Sequence, residues 1–249
     1  MRIFLFSKRN IKEILRDPIN LFFSLGFPLV LLALLSIINS AIPPEAKNTM
    51  FQIKKLAPGL AMFGSVFMAL FAGMLLSKDR TSSFLTRLFT SPMTATDFIL
   101  GYTFPMIIMT VVQASITLLV AGIFGLDINT NIILAIIITA LTSLLFIGTG
   151  LFFGSLLNEK AVGGVCGALL TNIAGWLSGV FIPIDLIGGA FKAITNILPF
   201  YHSVEAIKLS LNGDFSNILP HLSIVMGYTG IIFVFAIITF NRKMAGEKA

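Results

Sequence analysis

The sequence predicts an all-α integral membrane protein of six transmembrane helices. Three observations carry that prediction. Only 11% of the 249 residues are charged and 56% are hydrophobic, whereas a soluble domain carries about 25% charged residues. Mean hydropathy is +0.96, and the apolar residues fall in long runs near the ~20 residues that a helix needs to cross a bilayer. The runs are continuous, so they read as helices and not as barrel strands. The basic residues gather at the ends of the runs, where they fix orientation and meet anionic head groups.

Taken in order, Met1 to Asp17 reads as an amphipathic helix. Phe4, Ser7, Ile11, Ile14, Leu15 and then Pro18 share one face, with Lys8, Arg9, Lys12 and Arg16 on the other. It is expected to lie on the bilayer, apolar side down, either as a plain orientation signal or as an elbow joined to the first span through Asp17-Pro18. Span one covers Ile19 to Ile42, and Pro28 is expected to kink it by removing a hydrogen bond. A polar segment, Pro43 to Lys55, precedes span two, Leu56 to Ser77, which carries Gly59, Gly64 and Gly73. Span three covers Phe98 to Phe124 with Pro105 and Gln113 inside, and a turn with Asp127 follows. Span four covers Ile132 to Leu157. Its Gly148, Gly150 and Gly154 provide small residues at helical spacing, which lets another helix approach closely.

After a loop at Asn158 to Ala161, span five covers Val162 to Ile182, with Gly163, Gly164, Gly167, Asn172 and Trp176. The residues from Ile184 to Asn217 are too apolar for a solvated loop and too interrupted for a span, with Asp185, Gly188-Gly189, Lys192, Pro199, Glu205 and Lys208. They are expected to form a re-entrant pair of short helices, whose backbone breaks need cover from protein or a water-filled cavity. Span six covers Ile218 to Phe240.

Twelve basic residues fall on one side of this topology, at the N-terminus, after span two, at Lys160 and in the tail. Five fall on the other: Lys47, Lys54, Lys55, Lys192 and Lys208. The positive-inside rule puts both termini in the cytoplasm. A net charge of +6 on such a body speaks for lipid head groups and against nucleic acid. Cys166 is the one cysteine, so no internal disulfide is expected. His202 and His221 stand far apart with no ligand spacing, and no metal site is expected. No cleavable signal peptide, soluble domain or internal repeat is evident.

The longest charged interruption, Lys78 to Gly101, lies between spans two and three. Leu85, Leu88 and Phe89 recur at helical spacing beside Arg80 and Arg87, which predicts a short amphipathic surface helix ending at Pro92. There is no G-x-x-x-x-G-K-[ST] phosphate loop, no H-E-x-x-H and no nucleophile set. The spans carry no ionisable group at mid-depth, which weakens the reading as an ion-coupled carrier. Polar groups inside them, Gln113, Asn172, Ser178, Thr139, Thr142, Ser143 and Thr171, are expected chiefly to bond between helices; the alternative is a lining for an amphipathic substrate. The chain thus has a membrane body, a surface helix and no engine of its own.

Asp79-Arg80-Thr81-Ser82-Ser83-Phe84-Leu85-Thr86-Arg87-Leu88-Phe89-Thr90-Ser91-Pro92 resembles the cytoplasmic signature of ABC-2 type permeases, the membrane subunits of bacterial ATP-binding-cassette exporters. Asp79, Arg80, Leu85, Arg87, Leu88, Ser91 and Pro92 match it, while Thr81 stands where the family often has Glu and Ser83 where it often has Gly. Leu177 to Pro183 resembles the family's end of span five, and Asn196 to Phe200 with Glu205-Ala206-Ile207 the approach to span six.

The resemblance implies a single membrane domain over residues 1–249, with an elbow at 1–18, a coupling-helix loop at 78–95 and a re-entrant segment at 184–217. It implies that two copies, identical or not, sit in a bacterial plasma membrane above two ATP-binding-cassette ATPase subunits. Those subunits would hold ATP and Mg, and this chain no cofactor. Asp79, Arg80, Phe84, Leu85, Arg87, Leu88, Ser91 and Pro92 would seat on the ATPase, with the apolar residues as anchors and the arginines pairing acidic groups. The likeness is greatest to the drug-export group, with an amphipathic cargo such as an antibiotic, lipid or peptide; sodium and polysaccharide export stay open. Gln113, Asn172 and Ser178 are the substrate-path candidates, and Asp185, Pro199 and Glu205 mark the re-entrant segment. The alternatives are a carrier or channel without an ATPase, and an immunity or sensor protein that binds a toxin.

Overall fold

The computed structural model describes residues 2–42, 52–88, 93–182 and 184–246, and every regular element among them is helical. The elements are α1 (Arg2–Leu15), α2 (Pro18–Ala41), α3 (Ile53–Thr81), α4 (Ser83–Leu88), α5 (Ala95–Ile123), α6 (Asn131–Leu156), α7 (Glu159–Leu177), α8 (Ile184–Ile187), α9 (Gly189–Ile197), α10 (Pro199–Asn212) and α11 (Ile218–Gly246). Six of them, α2, α3, α5, α6, α7 and α11, are long and apolar enough to cross a membrane.

The helix starts follow local chemistry. Asp17 accepts hydrogen bonds from the Asn20 backbone and side-chain nitrogens, and Pro18 opens α2, where a missing N–H costs nothing. Thr94 and Asp97 form a reciprocal capping box at the start of α5. Asn158 accepts from the Ala161 N–H, so the expected loop at 158–161 is instead the first turn of α7.

The expected kink at Pro28 takes a definite form. Phe22–Gly26 is a π-helical turn in which the Phe27 N–H reaches back to the Phe22 carbonyl, and α-helix resumes around Pro28. Widening the turn reroutes the ladder that proline interrupts. A second π-helical stretch, Gly163–Leu170, runs through α7.

The α3 helix is the hub. Its most apolar stretch is 83% buried, against 17% in α2, 22% in α7 and 17% in α11. It packs chiefly on α6, and three glycines bring the two backbones together. A Cβ at Gly73 would meet the Gly150 carbonyl oxygen at 2.7 Å, and one at Gly154 would meet the Gly73 oxygen at 2.6 Å; Gly150 abuts Ala69 still more closely. The peripheral spans turn Ile19, Phe22, Val30, Leu34, Ile231, Val234 and Phe235 outward. Hydrocarbon is the solvent for such faces.

Between α7 and α11 the expected helix pair is three helices. Gly188, at φ +62°, breaks α8 from α9; Pro199 opens α10; and Gly213, at φ +76°, ends it. Glycine alone takes those left-handed angles without strain. Glu205 and Lys208, two of the charges that interrupt this segment, pair at 2.8 Å. Asp185 lies in α8, and Pro183 and Lys47 lie outside the described residues.

Candidate functional site

The polar stretch after span two is divided between two helices. Lys78, Asp79, Arg80 and Thr81 are the last turn of α3, which runs past the expected end at Ser77. Ser82 is extended and breaks the chain, and its hydroxyl accepts from the Phe84 N–H to start α4. Leu85, Arg87 and Leu88 lie in α4, while Phe89, Ser91 and Pro92 lie outside the described residues.

Within this chain Asp79 and Arg80, both expected at the partner's surface, turn toward neighbouring helices. Asp79 is buried and forms a two-pronged ion pair with Arg9 of α1, with Arg9 Nη2 donating to Oδ1 at 2.8 Å and Nη1 to Oδ2. The Tyr102 hydroxyl of α5 donates to the same carboxylate at 2.8 Å. Burial works against the Arg9 cation, but the hydrogen bond and charge of Asp79 outweigh it and raise its pKa above the ordinary value. Arg80 donates to the carbonyls of Ser155 and Leu157 at 2.8 and 2.7 Å, and Ser77 donates to Leu157 at 2.8 Å. These are carbonyls at the end of α6 that no further helical turn would satisfy, and a cation there also meets the negative end of the helix dipole.

A proline sets the position of α1. Pro105 has no N–H, so the Gly101 carbonyl of α5 lacks its helical donor. Ser7 and Asn10 of α1 supply two, at 3.2 and 3.0 Å. Phe6 beside them packs edge-on against Phe98 and Tyr102 and stacks on Phe84 of α4. The Arg9 guanidinium lies 4.1 Å from the centre of the Phe84 ring. Leu85 is fully buried within the chain and Leu88 packs against the same core, so both anchor α4 to its own body.

The face of α1 against the protein is therefore Phe6, Ser7, Asn10 and Ile14, all buried, while Phe4, Leu5 and Leu15 are exposed. Helical spacing alone places Ser7 and Ile14 on the lipid side and Arg9 at the head groups, and the structure differs. The spacing also misses Asn10 and Tyr102. One signal was present: a carboxylate at the end of an apolar span calls for a cation partner.

The substrate-path candidates do not converge. Gln113 is buried and donates to Thr117 at 3.0 Å, Ser178 is buried and donates to the Gly175 carbonyl, and Asn172 is exposed and donates to the Ala168 carbonyl. Thr139, Thr142, Ser143 and Thr171 likewise bond within their own helices. The expected bonds between helices are not made by these groups, because a short hydroxyl reaches its own carbonyl three or four residues back. At the other end of the bundle Lys54 pairs with Asp127 at 2.8 Å, which holds that exposed carboxyl below its usual range. His202 and His221 meet there as well, with Nδ1 atoms 2.7 Å apart.

A family model described as "ABC-2 type transporter" matches residues 1–211. No curated protein matches the chain.

Proposed function

The chain belongs to the ABC-2 type transporter family, and from that premise we propose that it is the permease half of an exporter whose work arrives through α4. It is a multi-pass membrane protein and a permease subunit of an ABC transporter, a type that works with an ATP-binding-cassette partner. In that role it exports a hydrophobic or amphipathic compound of the drug, lipid or peptide class. It pairs with a second permease copy in a bacterial plasma membrane, with its termini and α4 in the cytoplasm. ATP and Mg bind in the ATPase subunit. Residues 1–18 form the elbow, residues 184–217 the re-entrant segment.

The observation that carries this is the seat of α4. It continues from α3 after one extended residue, and α3 is the most buried helix of the bundle. Phe84 and Leu85 hold it to α1 and the core. A push on α4 therefore moves the hub and the elbow together, a rigid-body input of the kind that switches transporters between states. Asp79 and Arg80 stiffen the joint, and contact with the ATPase falls to Arg87 and the neighbouring residues of the loop. Asn172, exposed on α7, is the path candidate that can meet a substrate; Gln113 and Ser178 are packed away.

The test is co-purification with the ATPase subunit in mild detergent. Arg87→Glu should reduce the ATPase recovered at least about fivefold, the size expected from replacing an attractive charge contact by a repulsive one, with membrane insertion unchanged. Full recovery and export in that variant would remove α4 as the contact. A wild-type chain that exports with no ATPase bound would favour the carrier reading.

A further inference from the structure

We propose that His202 and His221 form a proton-binding site that clamps the segment before the last span to that span. The first proton tightens the clamp and the second opens it. The pair lies at the end of the bundle remote from α1. His221 is in the first turn of α11, whose far end brings Phe240 against Phe98 and so beside Phe6 of α1.

The hydrogen bonds fix where the protons sit. His202 Nε2 is 2.8 Å from the Asn196 carbonyl oxygen. A carbonyl only accepts, so this nitrogen carries a hydrogen. In the uncharged pair His202 Nδ1 is then bare, and it accepts from His221 Nδ1–H across the 2.7 Å contact. That leaves His221 Nε2 as the one open position. A proton taken up there makes His221 cationic without disturbing either bond, and a cationic donor strengthens the Nδ1 contact. A second proton can go only to His202 Nδ1. Two N–H groups and two positive charges then face each other, the hydrogen bond is lost, and the rings must part. The two protons belong to a coupled pair and bind in two macroscopic steps.

The surroundings decide what opening releases. His202 is on α10, Asn196 on α9 and His221 on α11, so one pair of rings ties three helices. Tyr201 packs edge-on against both rings, at 5.5 and 6.1 Å. Tyr228 of α11 adds one more tie, donating to the Ile197 carbonyl at 3.2 Å.

Among the described side chains, each carboxylate on the elements around the pair already has a partner, and Asp185 stands on α8, which packs on α9. On α10, Glu205 is held by both contacts to Lys208, at 2.8 and 3.0 Å. Lys192 on α9 is a further cation, and α6, which packs on α10, has no titratable residue. On α3, Lys54 is paired with Asp127 and Lys55 is a cation. Asp214, ahead of α11, is occupied by Ser216 and Asn217. Acidification on this side of the membrane therefore removes the ring-to-ring tie between α10 and α11 and loosens the segment that it holds.

The experiment is nitrogen NMR of 15N-histidine-labelled chain in lipid nanodiscs, with amide hydrogen exchange at residues 196–204, from about pH 8 to pH 5, the interval in which imidazoles titrate. The expected result is an Nε2–H ring and an Nδ1–H ring at the alkaline end, with proton uptake first at the Nδ1–H ring. Exchange at 196–204, corrected for its intrinsic pH dependence, should stay slow through that step and accelerate about tenfold or more on the second. Two rings that titrate independently in the same tautomer would overturn the proposal. In His221→Gln the amide can donate to His202 or, turned over, accept from it, so the acid step should vanish with protection retained. If that variant keeps the wild-type acid step, the site is not the switch. The wild-type spectra decide the matter even if the variant fails to fold.

Discussion

At the end of the bundle that carries α1, a half-buried guanidinium meets a buried carboxylate: Arg9 grips Asp79, and Tyr102 shares the carboxylate. At the opposite end two imidazoles and a backbone carbonyl do a similar job for α9, α10 and α11. Both ends fasten a short helical segment to the long spans. The difference is in what can undo them. Arginine stays charged at any pH a protein meets, so the first tie is permanent as long as its carboxylate is there. Imidazole changes charge near neutrality, so the second depends on the medium. If the push arrives through α4 as proposed, it arrives at the end with the permanent tie.

The comparison can be broken most severely at the axis both ends share. Gly150→Leu would force a branched side chain into the Ala69 backbone and part α6 from α3. A loss of about 3 kcal/mol or more is expected from such overpacking. Unfolding in detergent with exchange read at both ends should show them loosening together. If residues 196–204 stay protected while α1 is released, the ends do not hang on one axis.

A smaller effect should be confined to one end. Asp79→Ala leaves Arg9 without its partner and Tyr102 without its acceptor. The expected cost is about 2–3 kcal/mol, below the usual figure for a broken buried pair because Arg9 keeps 30% of its side chain exposed. Exchange should rise in α1 and α4 and stay unchanged at 196–204; equal loosening at both ends would dissolve the distinction.

Arg9→Lys sharpens it further. A lysine keeps the charge but loses the two-pronged grip and the guanidinium's contact with the Phe84 ring. About 1 kcal/mol is expected, with tighter salt dependence than wild type in a thermal unfolding series. A variant as stable as wild type would mean that charge alone holds α1.

The spans were legible because their signal is thermodynamic and local: ~20 apolar residues have one stable place. Most of their ends were read to within a few residues; Asn158 and the Lys78–Thr81 turn extended α7 and α3, and α7 stops at Leu177, short of the expected Ile182. The short helix after span two was legible from the spacing of Leu85 and Leu88, and the close approach of another helix to Gly150 and Gly154 from their small size. Helical spacing says which residues share a face, and it does not say whether that face meets lipid, a partner or the chain itself. Leu85 therefore proved to be core, and Ser7 and Asn10 proved to serve the carbonyl that Pro105 strands.

The sequence by itself determined the solvent, the number of membrane-spanning helices and the family motif, since hydropathy, helical period and a string of side chains are properties of the chain read in order. Only the tertiary structure decided that α3 is the hub, that Arg9 and Asp79 belong together across 70 residues, and that two distant histidines share a proton position. Those pairings depend on which helix lies beside which. Tight glycine contacts and stranded backbone groups settle that, and they take effect once the helices are already packed.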